Sequence, residues 1–271
     1  MKPPMQSRCF HRLRWASSIF SAALALTLYF PAPLRAQTVE AVDPECRTRP
    51  AAACPANPGP NPLLSLAGTC AKDLHAENHC CAHRRSGARD YAIVKDCAPG
   101  KSQGYLLVPV KAITGVDDPR IFAPPFVDLW QDAWRWSKTF PGRPASHTAL
   151  AINSARSRSE QQLHIHISCV APQVKRALET AAVPFYPAKP LELADLGPEH
   201  HTYAVVKVRR LSGAASPFRV VMRRVGKSEM RHEGIAVIGA KKMDEYYVLA
   251  TTDLHGDGGH AEELLDQSCS E

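Results

Sequence analysis

Two histidines, His164 and His166, stand two residues apart in the run QLHIHISCV, residues 162–170. The run is β-prone. On a strand alternate side chains face opposite ways, so Leu163, Ile165, Ile167 and Cys169 form one face and Gln162, His164, His166 and Ser168 the other. Residues two apart on a strand have Cα atoms roughly 6.5–7 Å apart, which lets two imidazoles act on neighbouring atoms of one ligand. The earlier run TALAIN, ending at Asn153, is also β-prone, and the polar stretch between the two carries Arg156, Arg158, Glu160 and Gln161. An antiparallel hairpin with a long loop is predicted. Paired imidazoles beside Asn153, with Lys111, Arg156 and Arg158 as candidate anion clamps, suit an anionic substrate whose reacting centre is small enough for two imidazoles to share. An uncharged ring nitrogen escapes part of the repulsion that slows attack on such an anion, and it splits the displacement into two easier steps.

Each residue has a plainer reading. A single buried histidine is most often a hydrogen-bonded core residue, and each of the three cations is as readily a solvated surface charge. The grouping on one strand face carries the chemical reading. Zinc is a weaker one: His-x-His can supply two ligands, with His147, His201 or Cys169 as a third, but no spaced third ligand stands out. No metal and no cofactor is expected.

At these residues the chain resembles the histidine-triad superfamily of nucleotide hydrolases and transferases, whose signature is His-x-His-x-His on a strand after an upstream asparagine. More narrowly, AINS followed by QLHIHISC nine residues after the Asn resembles the bacterial CDP-diacylglycerol pyrophosphatase family. The similarity continues through YAIVKD, GYLLVPV, FVDLWQDAW and YYVLATTD, and so covers the chain from about Tyr91 onward. One position departs, because Gln162 stands where the first triad histidine is expected. The resemblance implies that His164 attacks the phosphorus attached to cytidine, giving a CMP-histidine intermediate and releasing phosphatidic acid. It gives His166 the role of stabilising charge on the phosphoryl oxygens and Asn153 that of orienting phosphate or nucleoside. Gln162 can still donate a hydrogen bond but cannot titrate. The implied partners are CDP-diacylglycerol and the membrane surface. The competing readings are a related nucleotidyl hydrolase of soluble dinucleotides and a non-catalytic periplasmic metal- or ligand-binding module.

The 271-residue chain has room for one sizeable domain. It opens on Lys2, Arg8, Arg12 and Arg14, then an apolar run from Trp15 to Phe30, then Pro31, Pro33 and the small Ala36. Residues 1–36 therefore read as a signal peptide or an N-terminal membrane anchor. The resemblance favours an inner-membrane location facing the periplasm, and the alternative is export with cleavage. Beyond Cys9 eight cysteines remain, an even number that suits disulfides in an exported protein, and adjacent Cys80 and Cys81 should have separate partners. The formal charge is +7, partly from the leader. Such a surface favours anionic headgroups or phosphates. Nucleic acid is excluded as a partner by the lack of any recognised motif or aromatic-interleaved basic stripe.

The elements that must position the histidines follow from local pattern. Residues 37–90 are rich in Pro, Ala and Cys and read as an irregular, disulfide-tied arm. A hairpin is predicted at 91–96 and 104–110, and a helix from Phe126 to Phe140 in which Trp130 and Trp134 face the core. A second helix is expected at 172–181, with Pro172 in its first turn. YAVVKVRRL, SPFRVVMRRV, GIAVIGA and EYYVLATTD make a β-rich second half, and a short helix is placed at 261–267. The predicted class is α+β, with an antiparallel sheet of histidine-triad type and a few packed helices over residues 91–271.

Overall fold

The computed structural model describes residues 41–50, 54, 59–87, 89–139, 143–252 and 258–270. The leader assigned to 1–36 lies outside them. The described residues contain the α-helices α1 (Pro62–Lys72), α2 (Leu129–Ser137), α3 (Pro172–Thr180) and α4 (Pro217–Val225). The strands are β1 (Ala41–Val42), β2 (Cys80–Arg84), β3 (Tyr91–Lys95), β4 (Tyr105–Pro109), β5 (Thr148–Ile152), β6 (Ile165–Val170), β7 (Leu191–Leu196), β8 (His201–Val208), β9 (Glu233–Gly239), β10 (Tyr246–Thr252) and β11 (Leu265–Asp266). They form one sheet in the order β1-β2-β3-β4-β6-β5-β9-β10-β8-β7, with β11 pairing β6 off this path. All the strand pairings are antiparallel. The expected α+β class with an antiparallel sheet is what the chain adopts.

The predicted central hairpin is β5 and β6, with Leu150 opposite Ile167 and Ala151 opposite His166. Hairpins β3-β4 and β9-β10 flank it, so β6 lies near the middle of the sheet. Paired residues share a face. One face carries Leu107, Leu150, Ile165, Ile167, Val237 and Val248, and packs on Trp130 and Trp134 of α2 and Phe218 of α4. On the other, α1 covers Ala92, Val94 and Leu106 through Ala67 and Cys70, while Val174 and Leu178 of α3 join Ala149, Ala151 and Ala236. His166 sits between Leu106 and the small Ala151 on this second face.

Four expectations need correction. The stretch read as an irregular arm carries regular elements: β1 and β2 continue the sheet, α1 packs on it, and Pro62 starts that helix at its first turn, where the missing N–H costs nothing. SPFRVVMRRV is not a strand but α4. Its β-branched pair Val220-Val221 suggested a strand, yet Phe218, Val221, Met222 and Val225 recur at helical steps and all meet the core. The helix expected at 126–140 is shorter, a 3-10 turn at Phe126–Asp128 running into α2. The terminal helix is a 3-10 turn, Ala261–Leu264, followed by β11.

All eight cysteines beyond Cys9 are paired: Cys46 with Cys81, Cys54 with Cys97, Cys70 with Cys80, and Cys169 with Cys269. Cys80 and Cys81 have separate partners, as expected. The last bridge joins β6 to the C-terminal segment across 100 residues of chain. It works with the β11 pairing and with Ser168, whose hydroxyl lies within donating distance of the carbonyls of Gln103 (3.0 Å) and Asp266 (2.9 Å) and can give its one proton to either. Closing a loop of that length constrains the unfolded chain strongly. A Cys169→Ser/Cys269→Ser double variant is expected to lose on the order of 2–4 kcal/mol in guanidinium unfolding; an unchanged midpoint would mean that the other contacts hold the segment alone.

Candidate functional site

His164 precedes β6 and His166 lies within it; both are almost fully buried, at 6% and 4% exposure. Their ring centroids are 4.9 Å apart and the planes are inclined at 71°. His164 Nδ1 is 2.8 Å from the carbonyl oxygen of Gln162. A carbonyl only accepts, so Nδ1 carries the proton and the lone pair is on Nε2. Burial lowers the His164 pKa from its ordinary value, against the pull of that hydrogen bond and of Glu262 and Asp96. At neutral pH the ring is uncharged, with Nε2 available.

The His166 environment is made by three further segments. Its Nε2 is 3.2 Å from Glu262 Oε2 and its Nδ1 is 4.0 Å from Asp96 Oδ2, yet neither nitrogen makes an aligned hydrogen bond among the described residues. Burial pushes its pKa down to about 3 in spite of the Glu262 carboxylate. Lys101 Nζ bonds Glu262 Oε1 and lies 3.2 Å from Asp96 Oδ2. Burial would lower the lysine, but Glu262 and Asp96 outweigh it and hold the ammonium charged. Burial likewise opposes ionisation of Glu262, and the adjacent cationic side chains with hydrogen bonds from Lys101 and Gln267 hold it ionised. Since His166 is neutral, Lys101 is the charge that does this.

Glu262 is delivered to this point by a clasp. Asn153 Nδ2 donates to Glu262 Oε2 (3.1 Å), and Asn153 Oδ1 accepts from the Glu262 amide (3.0 Å). The next residue, Glu263, is fixed by Tyr203 Oη (2.7 Å), His201 Nδ1 (2.7 Å) and the Glu199 amide (2.8 Å). Upstream, the Gly259 carbonyl accepts from the Ser154 amide at 2.9 Å. It also passes so close to Gly234 that a Cβ there would sit 2.3 Å from the carbonyl oxygen. The glycine at 234 is what lets the terminal segment lie flat on β9.

The residues singled out in the sequence are therefore used unequally. His164 and His166 share one site, as expected of their spacing. Asn153 reaches the same site but spends both ends of its amide on Glu262. Gln162 is buried and fully committed: Nε2 donates to the carbonyls of Pro109 and Lys111, both at 2.9 Å, and Oε1 accepts from the Ile113 amide at 3.3 Å. It braces the segment after β4. Arg158 pairs with Asp117 and Gln161 on the hairpin loop, Arg156 is exposed there, and Lys111 is exposed beyond β4. Of the third zinc ligands considered, Cys169 is in a disulfide, His201 pairs with Glu263, and His147 meets Lys175 at 2.7 Å. Asp96, His166 and Glu262 have atoms close enough together for a metal ion, but the Lys101 ammonium bonds both carboxylates. Sequence reading missed Lys101, Asp96, Glu262 and Gln267. Nothing local marks them, because the fold brings them from about 60 residues before and 100 residues after the histidines.

An α+β protein with two neutral imidazoles buried beside a lysine and two carboxylates on a central antiparallel strand is equipped for nucleophilic group transfer. The sequence model of the CDP-diacylglycerol pyrophosphatase family matches residues 63–271, and the chain belongs to that family. It is 34% identical over 194 residues to the CDP-diacylglycerol pyrophosphatase of Yersinia pestis, covering 66% of this chain and 71% of that one. A probable CDP-diacylglycerol pyrophosphatase of Mycobacterium leprae is 31% identical over 177 residues, covering 61% and 64% of the two chains. Among solved structures, yeast Ap4A phosphorylase overlaps 73% of this chain and 65% of its own, with a TM-score of 0.41 and 12% identity.

The electrostatics set a pH response. Both histidines favour the neutral form when folded, so below about pH 6.5 the unfolded chain binds more protons and stability falls as the pH drops. In an NMR titration of ring-labelled histidine, His164 should stay neutral and Nδ1-protonated from pH 8 to below 6.5, and His166→Gln should flatten the acid slope of stability. Titration of His164 at or above 6.5 would contradict this.

Proposed function

We propose that the chain hydrolyses the diphosphate of CDP-diacylglycerol to CMP and phosphatidic acid, with His164 as nucleophile. The observation that carries the mechanism is the Gln162 carbonyl, which holds the proton on Nδ1 and leaves the lone pair of a neutral ring on Nε2. The Nε2 lone pair attacks the cytidine-side phosphorus and the bond from that phosphorus to the bridging oxygen breaks. Phosphatidate leaves, and CMP stays on the ring. Water then attacks the same phosphorus, the P–N bond breaks, and His164 is restored.

His166 has two ring nitrogens without aligned partners, which is costly for a buried polar group unless a ligand supplies them. It is the hydrogen-bonding group for the phosphoryl oxygens. Lys101, kept charged by Asp96 and Glu262, supplies positive charge beside the reacting anion. Asn153 serves here as a positioning residue for Glu262, and Gln162 for the loop that carries Lys111. Lys111 and Arg156 are exposed and offer further positive charge to an anionic substrate, while Arg158 is matched by Asp117.

The compartment is oxidising and outside the cytoplasm, as four disulfides require. Among the described residues no helix is long and apolar enough to cross a membrane. In this reading, contact with a bilayer is made by the 1–36 leader, as anchor or signal at the inner membrane, and by the lipid substrate itself.

Radiolabelled CDP-diacylglycerol in mixed micelles tests the reading. CMP release should be insensitive to chelator and fall at least a thousandfold in His164→Ala, with the unfolding midpoint nearly unchanged. Retained turnover in that variant, or turnover of soluble dinucleotides only, would overturn it. Lys101→Met should lower kcat/KM by about 10²–10³-fold, the size seen when one charge-stabilising donor is removed.

A further inference from the structure

A cavity of about 290 Å³ lies on the opposite face of the sheet from the histidines. Its floor is Val206, Val248 and Ala250 of β8 and β10, its roof is Val220 and Val221 of α4, and the 186–190 loop closes one side. By register Val248 pairs with Val237, which pairs with Leu150, which pairs with Ile167, so the floor belongs to the face that His166 does not use. Three strand spacings, roughly 14 Å, also separate β10 from β6 across the sheet. The cavity is not an extension of the phosphate site.

Its lining is apolar but its mouth is not. Lys189 is exposed and makes no ion pair among the described residues. Arg223 is held in place by Tyr186 Oη (2.8 Å) and the Ala214 carbonyl (3.0 Å), neither of which neutralises it. Arg224, by contrast, is matched by the buried Glu233 at 2.7 Å. Glu192, the register partner of Ala204, is an exposed carboxylate on the cavity's face, set against the two cations Lys189 and Arg223. An apolar slot at the small end of the ~300–1,000 Å³ range for ligand sites, with unneutralised cations at its opening, is complementary to one alkyl chain carrying an anionic head. It is too small for two chains.

We propose that this cavity binds a single-chain anionic amphiphile of the long-chain carboxylate class, its tail between α4 and the sheet and its head on Lys189 and Arg223. The site is separate from the hydrolytic one and stands whether or not that reading holds.

Calorimetric titration of the folded protein with dodecanoate, dodecyltrimethylammonium, dodecyl maltoside and acetate, all below micelle formation, tests it. Dodecanoate should bind one to one, at least tenfold tighter than the cationic and neutral amphiphiles, and acetate should not bind. Ala188→Trp, which fills the slot from an exposed loop, and Lys189→Glu, a surface change that leaves packing intact, should each weaken dodecanoate at least tenfold without changing CMP release. No binding of dodecanoate, equal binding of all three amphiphiles, affinity unchanged in both variants, or association only with phosphatidylglycerol vesicles would each overturn the proposal.

Discussion

A buried imidazole can attack phosphorus only if its proton is held on the nitrogen that does not attack. In this chain the Gln162 carbonyl, two residues back on the same segment, holds the His164 proton at Nδ1. The restraint is cheap, because a backbone carbonyl just outside a strand needs a donor and the ring supplies it. It is also strict, since a carbonyl cannot donate and therefore permits one tautomer. Gln162 contributes twice: its backbone orients the ring and its side chain binds the Pro109 and Lys111 carbonyls and the Ile113 amide. An amide at this position makes three hydrogen bonds that do not change with pH, and so keeps the segment in register whatever the protonation of the site.

Burial then divides the charged work among neighbours. A ring taken out of water loses its charged form, and His164 and His166 both do. The positive charge beside the two neutral rings is carried instead by Lys101, whose ammonium survives burial because Glu262 and Asp96 flank it. Unpaired, that lysine would cost several kcal/mol or lose its proton. The clasp of Asn153 on Glu262, the anchoring of Glu263 and the Cys169–Cys269 bridge thus serve one purpose, to keep a carboxylate where it sustains a cation beside the histidines.

Much of the framework was legible in the sequence because it rests on short-range pattern. Alternation in TALAIN and LHIHISCV marks the central hairpin and places both histidines on one face, and Trp130 and Trp134 at helical spacing mark the buried side of α2. The errors arose where local pattern was ambiguous or mute. Val220-Val221 reads as a strand until the 218, 221, 222, 225 spacing is weighed against it, and the run of prolines up to 62 masks a helix that the last of them starts. Lys101 and Glu262 could not have been found this way. Their partnership depends on β11 returning to β6 and on Gln103 bonding the Gln267 carbonyl at 2.8 Å, which are contacts between distant parts of the chain. Asn153 illustrates the same limit: its place beside the histidines was readable, but not that both ends of its amide are spent on Glu262.

Rapid quenching of the protein with CDP-diacylglycerol, followed by mass spectrometry under alkaline conditions that preserve phosphoramidates, tests the central claim most directly. The account predicts a cytidylyl group on the peptide containing His164, formed within the first turnover and absent in His164→Ala. Turnover with no adduct on that peptide at any time, or an adduct on His166 instead, would contradict it.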